Sequence, residues 1–281
     1  MTDTLTWTEN DQNLSARWRS EAGNPPPKRV VIADDTTKAD VAYRLACEGT
    51  ALLWRGDYQN ARQLLQALGR RLDRKPAKTG STVTEAFHLH RQSQAQRARI
   101  LGMLLIPLDA DYRSPLRRAQ DLQAACREAW GEPDGSENNV VALREALGLV
   151  GAHEWRKKGV PIAALGASIH PHYGVFSPVR GEYLDLVAKA PLPAAATHPG
   201  ARAFDIGTGT GVLAALLAQR GLNVTATDNA PRALACARDN IQRLNLAAQV
   251  SIEETNLFPA GQAELIVCNP PWLPPPPTTP R

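Results

Sequence analysis

The sequence predicts an α/β fold with a mainly parallel sheet, preceded by a helical N-terminal domain. Residues 201–229 pass through an apolar stretch, a glycine-rich turn, an Ala/Leu-rich stretch and a β-branched stretch, which is the pattern of strand, turn, helix and strand. Two more strand patterns follow at 249–254 and 263–269, so about four strands are assigned. Between 30 and 168, apolar residues instead recur at three- and four-residue spacing, as in amphipathic helices.

The composition is typical of a globular protein with enough residues for two domains. The chain has 281 residues, of which 43% are hydrophobic and 21% charged. Its N-terminus does not have the pattern of a signal peptide, and the longest apolar run, 100–108, is too short to span a bilayer. The four cysteines have no paired spacing and are expected to be reduced. We therefore expect a cytoplasmic protein with no membrane partner.

The N-terminal part is predicted to contain an arm and a helical domain. Residues 1–29 are polar and end in three prolines followed by Lys28 and Arg29, which predicts a flexible polar arm. Residues 30–168 are predicted to form a mainly helical domain. Its predicted helices, punctuated by glycines, are 39–49, 58–72, 116–130 and 140–149.

A basic stretch within this domain admits two interpretations. Residues 62–99 contain nine Lys or Arg against two Asp or Glu. Such an excess of positive charge attracts the phosphates of nucleic acids. A solvated helix face has the same composition, and only Phe87 places an aromatic ring among the basic side chains. Both interpretations stay open at this point.

The glycine-rich turn predicts a nucleoside ligand. Gly207, Gly209 and Gly211 permit a sharp turn and the close approach of a ligand, because they have no Cβ. The turn opens the predicted helix 212–220, whose first N–H groups form a polar cradle. Asp228 falls at the carboxyl end of the second strand, where its carboxylate can accept both ribose hydroxyls of an adenosine.

The spacing of the turn bears on which nucleoside binds. Compared with the dinucleotide fingerprint, the turn has one residue fewer before Gly211 and a carboxylate, Asp205, before its first glycine. A carboxylate there would repel a pyrophosphate and would suit a ligand with an ammonium group. S-adenosylmethionine has that amine and no phosphate. A tight strand-to-helix connection without a ligand is the structural alternative.

A second motif carries a family resemblance. The strand pattern 263–269 ends in Asn269, which is followed directly by Pro270, Pro271 and Trp272. With the glycine turn about sixty residues upstream, this motif resembles the class I S-adenosylmethionine-dependent methyltransferases of the N-P-P-aromatic type. The resemblance implies a Rossmann-like fold, S-adenosylmethionine as cofactor, no required metal, and methylation of an amino or amide nitrogen. The targets of that group are nucleic-acid bases or a protein glutamine.

The resemblance also implies roles for the four motif residues as catalytic residues. The side-chain oxygen of Asn269 and the carbonyl of Pro270 would accept the substrate N–H groups, which favours the developing positive nitrogen over the planar ground state. Pro271 would stiffen the turn by fixing φ. Trp272 would offer a flat face on which a base or amide stacks.

The cofactor site is expected to draw on several segments. Residues 170–187 stand where the resembling family has a loop and helix over the methionine end of the cofactor, although an interdomain linker would fit the same pattern. Asn256 stands where the family usually has Asp and keeps an acceptor oxygen for the adenine amino group. The residues expected to bind the cofactor are Phe176, Asp205, Gly207, Thr208, Gly209, Gly211, Asp228, Asn229, Asn256, Leu257 and Asn269.

The sequence after the second motif differs from the family. Residues 169–273 are predicted to form the S-adenosylmethionine-binding methyltransferase domain, and 274–281 a proline-rich tail. The resembling fold has three more strands after this motif, so the sheet is expected to be incomplete and the domain truncated. An unfinished edge at the fourth strand would favour self-association.

Three functions remain as hypotheses. The leading one is an S-adenosylmethionine-dependent N-methyltransferase acting on a nucleic-acid base, with RNA favoured over DNA, because basic residues supply phosphate contacts. The alternatives are a protein-glutamine N-methyltransferase and a truncated, non-catalytic cofactor-binding remnant. An NAD-dependent oxidoreductase is disfavoured by the glycine spacing.

Overall fold

The computed structural model describes residues 3–74, 81–178 and 181–270. The chain divides into an N-terminal unit, 1–151, and a C-terminal unit, 152–281. No helix among the described residues is both long and apolar enough to cross a membrane.

The N-terminal unit is an α/β unit, so the prediction of a mainly helical domain over 30–168 is wrong. Its strands are β1 (Thr4–Glu9), β2 (Gln12–Arg19), β3 (Arg29–Ala33), β4 (Thr50–Trp54), β5 (Leu104–Leu108) and β6 (Asn139–Ala142). Its helices are α1 (Ala39–Cys47), α2 (Tyr58–Asp73), α3 (Val83–Leu101), α4 (Gln123–Trp130) and α5 (Leu143–Lys158), the last of which crosses the boundary between the units. The six strands form one sheet in the order β1-β2-β6-β5-β4-β3.

The buried strands of this sheet explain the error. All five residues of β4 and all four of β6 are buried. A short run of buried apolar residues looks the same in a strand and in a helix, because both faces are covered. The predicted helix 140–149 is therefore strand β6 followed by α5, and the predicted helix 116–130 begins only at Gln123. The helices predicted at 39–49 and 58–72 are confirmed as α1 and α2.

The first 29 residues contain a β-hairpin, so the prediction of a flexible arm is also wrong. Strands β1 and β2 pair antiparallel, and Asn10 and Asp11 at the turn between them have φ of 51° and 61°. Asn and Asp tolerate positive φ, which two-residue hairpin turns require. The side chains of Leu5, Ala16 and Trp18 are buried in the core beneath the sheet. Every second residue here faces the core, and the polar residues between them obscured that pattern.

The C-terminal unit has the predicted four-stranded parallel sheet. Its strands are β7 (Val160–Ile162), β8 (Ala167–Ile169), β9 (Arg202–Ile206), β10 (Asn223–Asp228), β11 (Val250–Glu254) and β12 (Leu265–Cys268). Its other helices are α6 (Glu182–Lys189), α7 (Val212–Gln219) and α8 (Pro231–Arg243). The sheet has the order β11-β10-β9-β12, and β7 and β8 form a separate hairpin.

The unit begins earlier in the sequence than predicted. The predicted boundary was 168/169, and the observed one is 151/152. Val160, Ile162 and Ile169 of the β7–β8 hairpin belong to the same buried core as helix α7. These side chains are needed to cover α7, in which every residue from Val212 to Ala218 is buried.

The strand order places the functional site. Strand β9 lies at the centre, with β10 on one side and β12 on the other, and all pairings are parallel. In such a sheet the crossover connections leave the central strand in opposite directions, which opens a crevice at the carboxyl ends of the strands. The glycine turn follows β9 and Asn269 follows β12, so both motifs lie at this edge.

Candidate functional site

A cleft of about 1410 Å³ lies at the carboxyl ends of the parallel strands in the C-terminal unit. Its lining comes from the segments that follow β9, β10, β11 and β12, together with residues 174–177 and Tyr183 of α6. The predicted site residues that line this cleft are Phe176, Gly207, Thr208, Gly209, Asp228, Asn229, Asn256, Leu257, Asn269 and Pro270. Pro271 and Trp272 lie outside the described residues.

The glycines of the turn serve two different purposes. Gly207, Gly209 and Gly211 have φ of 71°, 56° and 81°, a region that residues with a Cβ rarely adopt. A Cβ at Gly207 would have no heavy atom within 4 Å, so its requirement is conformational. A Cβ at Gly211 would lie 3.3 Å from the Cα of Ala237 in α8. Gly211 is not a lining residue; it permits the close packing of α7 on α8.

Asp205 lies beneath the turn and is not among the residues that line the cleft. Its side chain is fully buried, and its Oδ2 accepts hydrogen bonds from Thr208 Oγ1 at 2.6 Å and Ala214 N at 3.0 Å. Its Oδ1 has no hydrogen-bond partner among the described residues. The pKa of Asp205 is raised to about 6, chiefly by burial and also by the charge of Asp228, against the lowering effect of its two hydrogen bonds. Asp205 thus ties the end of β9 to the first turn of α7.

Asp228 joins the glycine turn to the loop that follows β10. Its Oδ2 accepts from the backbone N–H of Gly209 at 3.1 Å, and its Oδ1 accepts from that of Ala230 at 3.0 Å. These two bonds hold the carboxylate in one orientation at the lining. A carboxylate offers about four lone-pair sites, so each oxygen retains capacity for a ligand hydroxyl.

The loop after β11 is held in a strained conformation. Leu257 has φ of 75°. The buried hydroxyl of Thr227 donates to the carbonyl of Leu257 at 2.7 Å, and Thr255 N donates to Asp228 O at 3.2 Å. A residue with a branched side chain rarely persists at positive φ unless its surroundings hold it there. The side chain of Leu257 is exposed at the cleft as a result.

The segment before α6 is anchored to helix α8. The side chain of Asn240, which is buried, accepts from His170 N at 2.7 Å and donates to Thr210 O at 3.0 Å. His172 Nε2 lies 3.3 Å from a carboxylate oxygen of Asp239. These bonds set the start of the segment that brings Phe176 to the cleft, where its ring is 67% exposed.

The lining chemistry fits S-adenosylmethionine. Asp228, Asn229 and Asn256 provide oxygen acceptors, and Ile206 and Leu213 provide apolar surface. Asp205 Oδ1, which has no hydrogen-bond partner among the described residues, lies beneath the turn. The positive charge of an ammonium group there would compensate the negative charge of the carboxylate. The described residues contain no group of three or more His, Cys, Asp or Glu arranged to hold a metal ion.

Three residues of the site were not anticipated from the sequence. Tyr183 lines the cleft and hydrogen-bonds Asn269, Asn240 anchors the segment at His170, and Thr227 holds Leu257. Each acts through a partner 30 to 86 positions away in the chain. No local pattern signals such a contact.

The parallel order, the glycine turn and the acidic residue at the end of β10 define the class I methyltransferase fold. Residues 166–275 match the family model of the methyltransferase small domain. This match covers 110 of the 281 residues and confirms the predicted resemblance of the C-terminal unit to the S-adenosylmethionine-dependent methyltransferases.

Known proteins are similar to this domain over part of their length. A release factor glutamine methyltransferase of Cereibacter sphaeroides is 38% identical over 86 residues, which are 29% of this chain and 31% of that protein. A tRNA1(Val) (adenine(37)-N6)-methyltransferase of Vibrio campbellii is 34% identical over 80 residues, which are 27% of this chain and 34% of that protein. The chain thus spans about a third of these curated relatives.

Among solved structures, a human methyltransferase 10 domain containing protein has a TM-score of 0.34 and 20% identity, covering 47% of this chain and 64% of that one.

The two roles of the glycines predict different losses of stability for substitutions to alanine. Gly207→Ala should cost about 1–2 kcal/mol of stability, the penalty of a left-handed residue with a Cβ. Gly211→Ala should cost more, because the new methyl group also presses on the backbone of α8 at Ala237. Urea unfolding of both variants measures this difference. Equal losses of unfolding free energy in the two variants would show that α8 shifts to accommodate the new methyl group without a free-energy cost.

The raised pKa of Asp205 predicts a dependence of stability on pH. The folded pKa of about 6 lies above the ordinary 3.8, so the stabilising contribution is fully present below pH 4 and is lost as pH rises through 6. Asp205→Asn keeps an acceptor oxygen for Thr208 and removes the charge. Without ligand, it should be more stable than the wild type by roughly 3 kcal/mol at pH 7.5 and about equal at pH 4.

Thermal unfolding across pH 4–7.5 checks this expectation. Asp185→Asn, which alters a largely exposed carboxylate on α6, is the matched control. An Asp205→Asn variant with the wild-type pH profile would contradict the assignment of the titration to Asp205.

Proposed function

We propose that the protein is an S-adenosylmethionine-dependent N-methyltransferase that acts on an exocyclic amino nitrogen of a nucleic-acid base, with RNA favoured over DNA. One observation carries the proposal. Asn269 and Pro270 line the same cleft as the glycine turn and Asp228. The acceptors for a substrate nitrogen therefore lie beside the groups suited to the cofactor.

The cofactor would be held by the groups at the ends of β9, β10 and β11. Asp228 would accept the ribose hydroxyls, and Asn256 would accept the adenine amino group. The backbone of Gly207 and Gly209 leaves room for close approach. Phe176 and Leu257 would cover apolar parts of the ligand. Asp205 would act from below the turn, through its charge, on the ammonium group.

Asn269 and Pro270 would activate the substrate nitrogen. When bound, S-adenosylmethionine supplies an electrophilic methyl group. The side-chain oxygen of Asn269 and the carbonyl of Pro270 would accept the two N–H bonds of the amino group, which frees its lone pair from conjugation with the ring. Because both acceptors bind the developing positive nitrogen more strongly than the planar amine, they lower the barrier. Stacking by Trp272 and stiffening by Pro271 stay predictions.

Charge in the N-terminal unit supports nucleic acid as substrate. Helices α2 and α3 expose Arg70, Arg91 and Arg99, and Arg74, the residue directly after α2, is exposed as well. The exposed ring of Phe87 lies under the guanidinium of Arg91, 5.9 Å from its centroid. Guanidinium groups bind phosphates, and a solvent-exposed aromatic ring can stack on a base.

Two alternatives follow from specific observations. A primary amide has the same pair of N–H bonds as an exocyclic amine, so Asn269 and Pro270 suit a protein glutamine as well, and the Cereibacter sphaeroides relative is named for that substrate. A non-catalytic cofactor-binding protein that self-associates is the second alternative. Strand β12 is at the edge of the described sheet, and the side chain of Ile266 is 51% exposed there.

Calorimetry with S-adenosylhomocysteine tests the cofactor site. Asp228→Ala removes the proposed ribose acceptors and should weaken binding at least tenfold, about the value of one charge-assisted hydrogen bond. Asp185→Ala, on the exposed face of α6, should bind as the wild type does. Absence of binding by the folded wild-type chain would refute the proposal, as would an Asp228→Ala variant of unchanged affinity.

Transfer of a tritiated methyl group tests the acceptor. The full chain is incubated with labelled S-adenosylmethionine and either mixed-sequence RNA, the same sequence as DNA, or glutamine-containing peptides. We expect labelling of RNA that weakens with salt, and a loss of at least a hundredfold in Asn269→Ala. Labelling of the peptides alone would favour the glutamine alternative. Cofactor binding without any transfer would favour the non-catalytic one.

A further inference from the structure

Helix α3 of the N-terminal unit is almost entirely exposed to solvent. From 81 to 96, every residue is exposed except Leu89, which is half-buried. Only Ile100 and Leu101, in the last turn, are buried. The helix is therefore attached by its C-terminal end, and about four of its turns face solvent on all sides. A helix that is polar all round gains little stability from packing, so its shape must have another source.

Local bonds supply that shape. Thr82 Oγ1 accepts from Glu85 N at 3.1 Å, and Glu85 Oε2 accepts from Ser81 N at 2.7 Å, so the two side chains satisfy backbone donors at the start of the helix. Near the other end, Arg97 forms an ion pair with Asp73 of α2. The helix is thus fixed at both ends, while the turns between them are exposed.

The exposed turns carry positive charge without negative charge. From 86 to 108 the sequence has three Arg, two His and no Asp or Glu. Arg97 is neutralised by Asp73, whereas Arg91 and Arg99 are exposed and form no ion pair with the residues that the structure describes. A helix face that is only solvated usually mixes both signs, because oppositely charged pairs four residues apart stabilise it. The one-signed face favours an anionic partner.

An exposed aromatic ring lies among these charges. Phe87 is 45% exposed, and the guanidinium carbon of Arg91 lies 5.9 Å from the centroid of its ring. Because residues four positions apart share one side of a helix, the ring and the cation are presented together. Proteins that bind single-stranded nucleic acids use this combination, stacking bases on rings and pairing phosphates with cations. A duplex keeps its bases stacked on one another and offers no base face to the ring.

We propose that α3 is a binding surface for unpaired nucleotides of a nucleic acid, in which Phe87 stacks on a base and Arg91 and Arg99 contact phosphates. The two arginines are eight positions apart, about 12 Å along the helix axis, so they contact different phosphates. The inference rests on the proposed function for the choice of a nucleic acid as the ligand. It adds a contact for that ligand in the N-terminal unit.

Fluorescence anisotropy of the full chain, without cofactor, tests the surface. The probes are an RNA hairpin with a large mixed-sequence loop and a fully paired RNA duplex of equal length. We expect the hairpin to bind more tightly. Arg91→Gln and Arg99→Gln should each weaken its binding severalfold and lower the slope of log affinity against log salt by about 0.7, the value of one phosphate contact on a single strand. Phe87→Leu should weaken binding about tenfold and leave the slope unchanged, because stacking is not ionic.

Arg144→Gln is the matched control. It removes another exposed arginine charge of the N-terminal unit, at the start of α5, and should bind the hairpin as the wild type does. Because all four substituted side chains are exposed, thermal unfolding of each variant should match that of the wild type.

Three results would overturn the binding role of α3. One is tighter binding of the duplex than of the hairpin, and another is an Arg91→Gln variant with the affinity and salt slope of the wild type. The third is an equal loss of affinity in Arg91→Gln and Arg144→Gln, because net charge alone would then explain the binding.

The proposed function fails by other measurements. A wild type that binds the hairpin through α3 and does not bind S-adenosylhomocysteine would refute the proposed function and support the binding surface. A wild type that binds S-adenosylhomocysteine, methylates only the glutamine peptides and binds neither RNA probe would overturn the surface and favour the glutamine alternative.

Discussion

The site depends on one buried carboxylate. Asp205 Oδ2 receives both the Thr208 hydroxyl and the Ala214 backbone N–H, and these two bonds connect the end of β9, the glycine turn and α7. The three glycines of the turn have no side chains and all sit at positive φ, so its shape depends on bonds from its surroundings. Asp228 and Asn240 hold it at Gly209 N and Thr210 O, and Asp205 joins it to α7. Because Oδ1 has no partner among the described residues, burying the ionised carboxylate costs free energy, and the raised pKa of Asp205 reflects that cost.

The sequence predicted the C-terminal sheet more closely than the N-terminal one, and the reason is local chemistry. The glycines before α7 and Pro231 at the start of α8 mark boundaries through backbone constraints that need no tertiary context. Strands β4 and β6 carry no such mark. Their buried apolar residues satisfy a helical spacing equally well, and only the neighbouring strands decide the outcome.

The residues of the site divide in the same way into those that the sequence could predict and those that it could not. Residues adjacent to a motif, such as Asp228 and Asn269, could be predicted because a strand end in a parallel sheet fixes where they lie. Tyr183, Thr227 and Asn240 could not, since each matters through a contact distant in sequence. The charge of Asp205 predicted a contact with the ligand. Its burial beneath the turn could not be predicted, because no rule of sequence spacing describes the bonds that hold it there.

The anchoring of His170 by Asn240 has a consequence for ligand exchange. The same asparagine side chain also binds Thr210 O in the glycine turn, so one buried amide couples the start of the Phe176 segment to the floor of the cleft. Folding has already restricted that segment, and binding has less conformational freedom left to remove. The rim and the floor are consequently linked through one residue of α8, so a ligand that displaces the Phe176 segment would also strain the bond that holds Thr210.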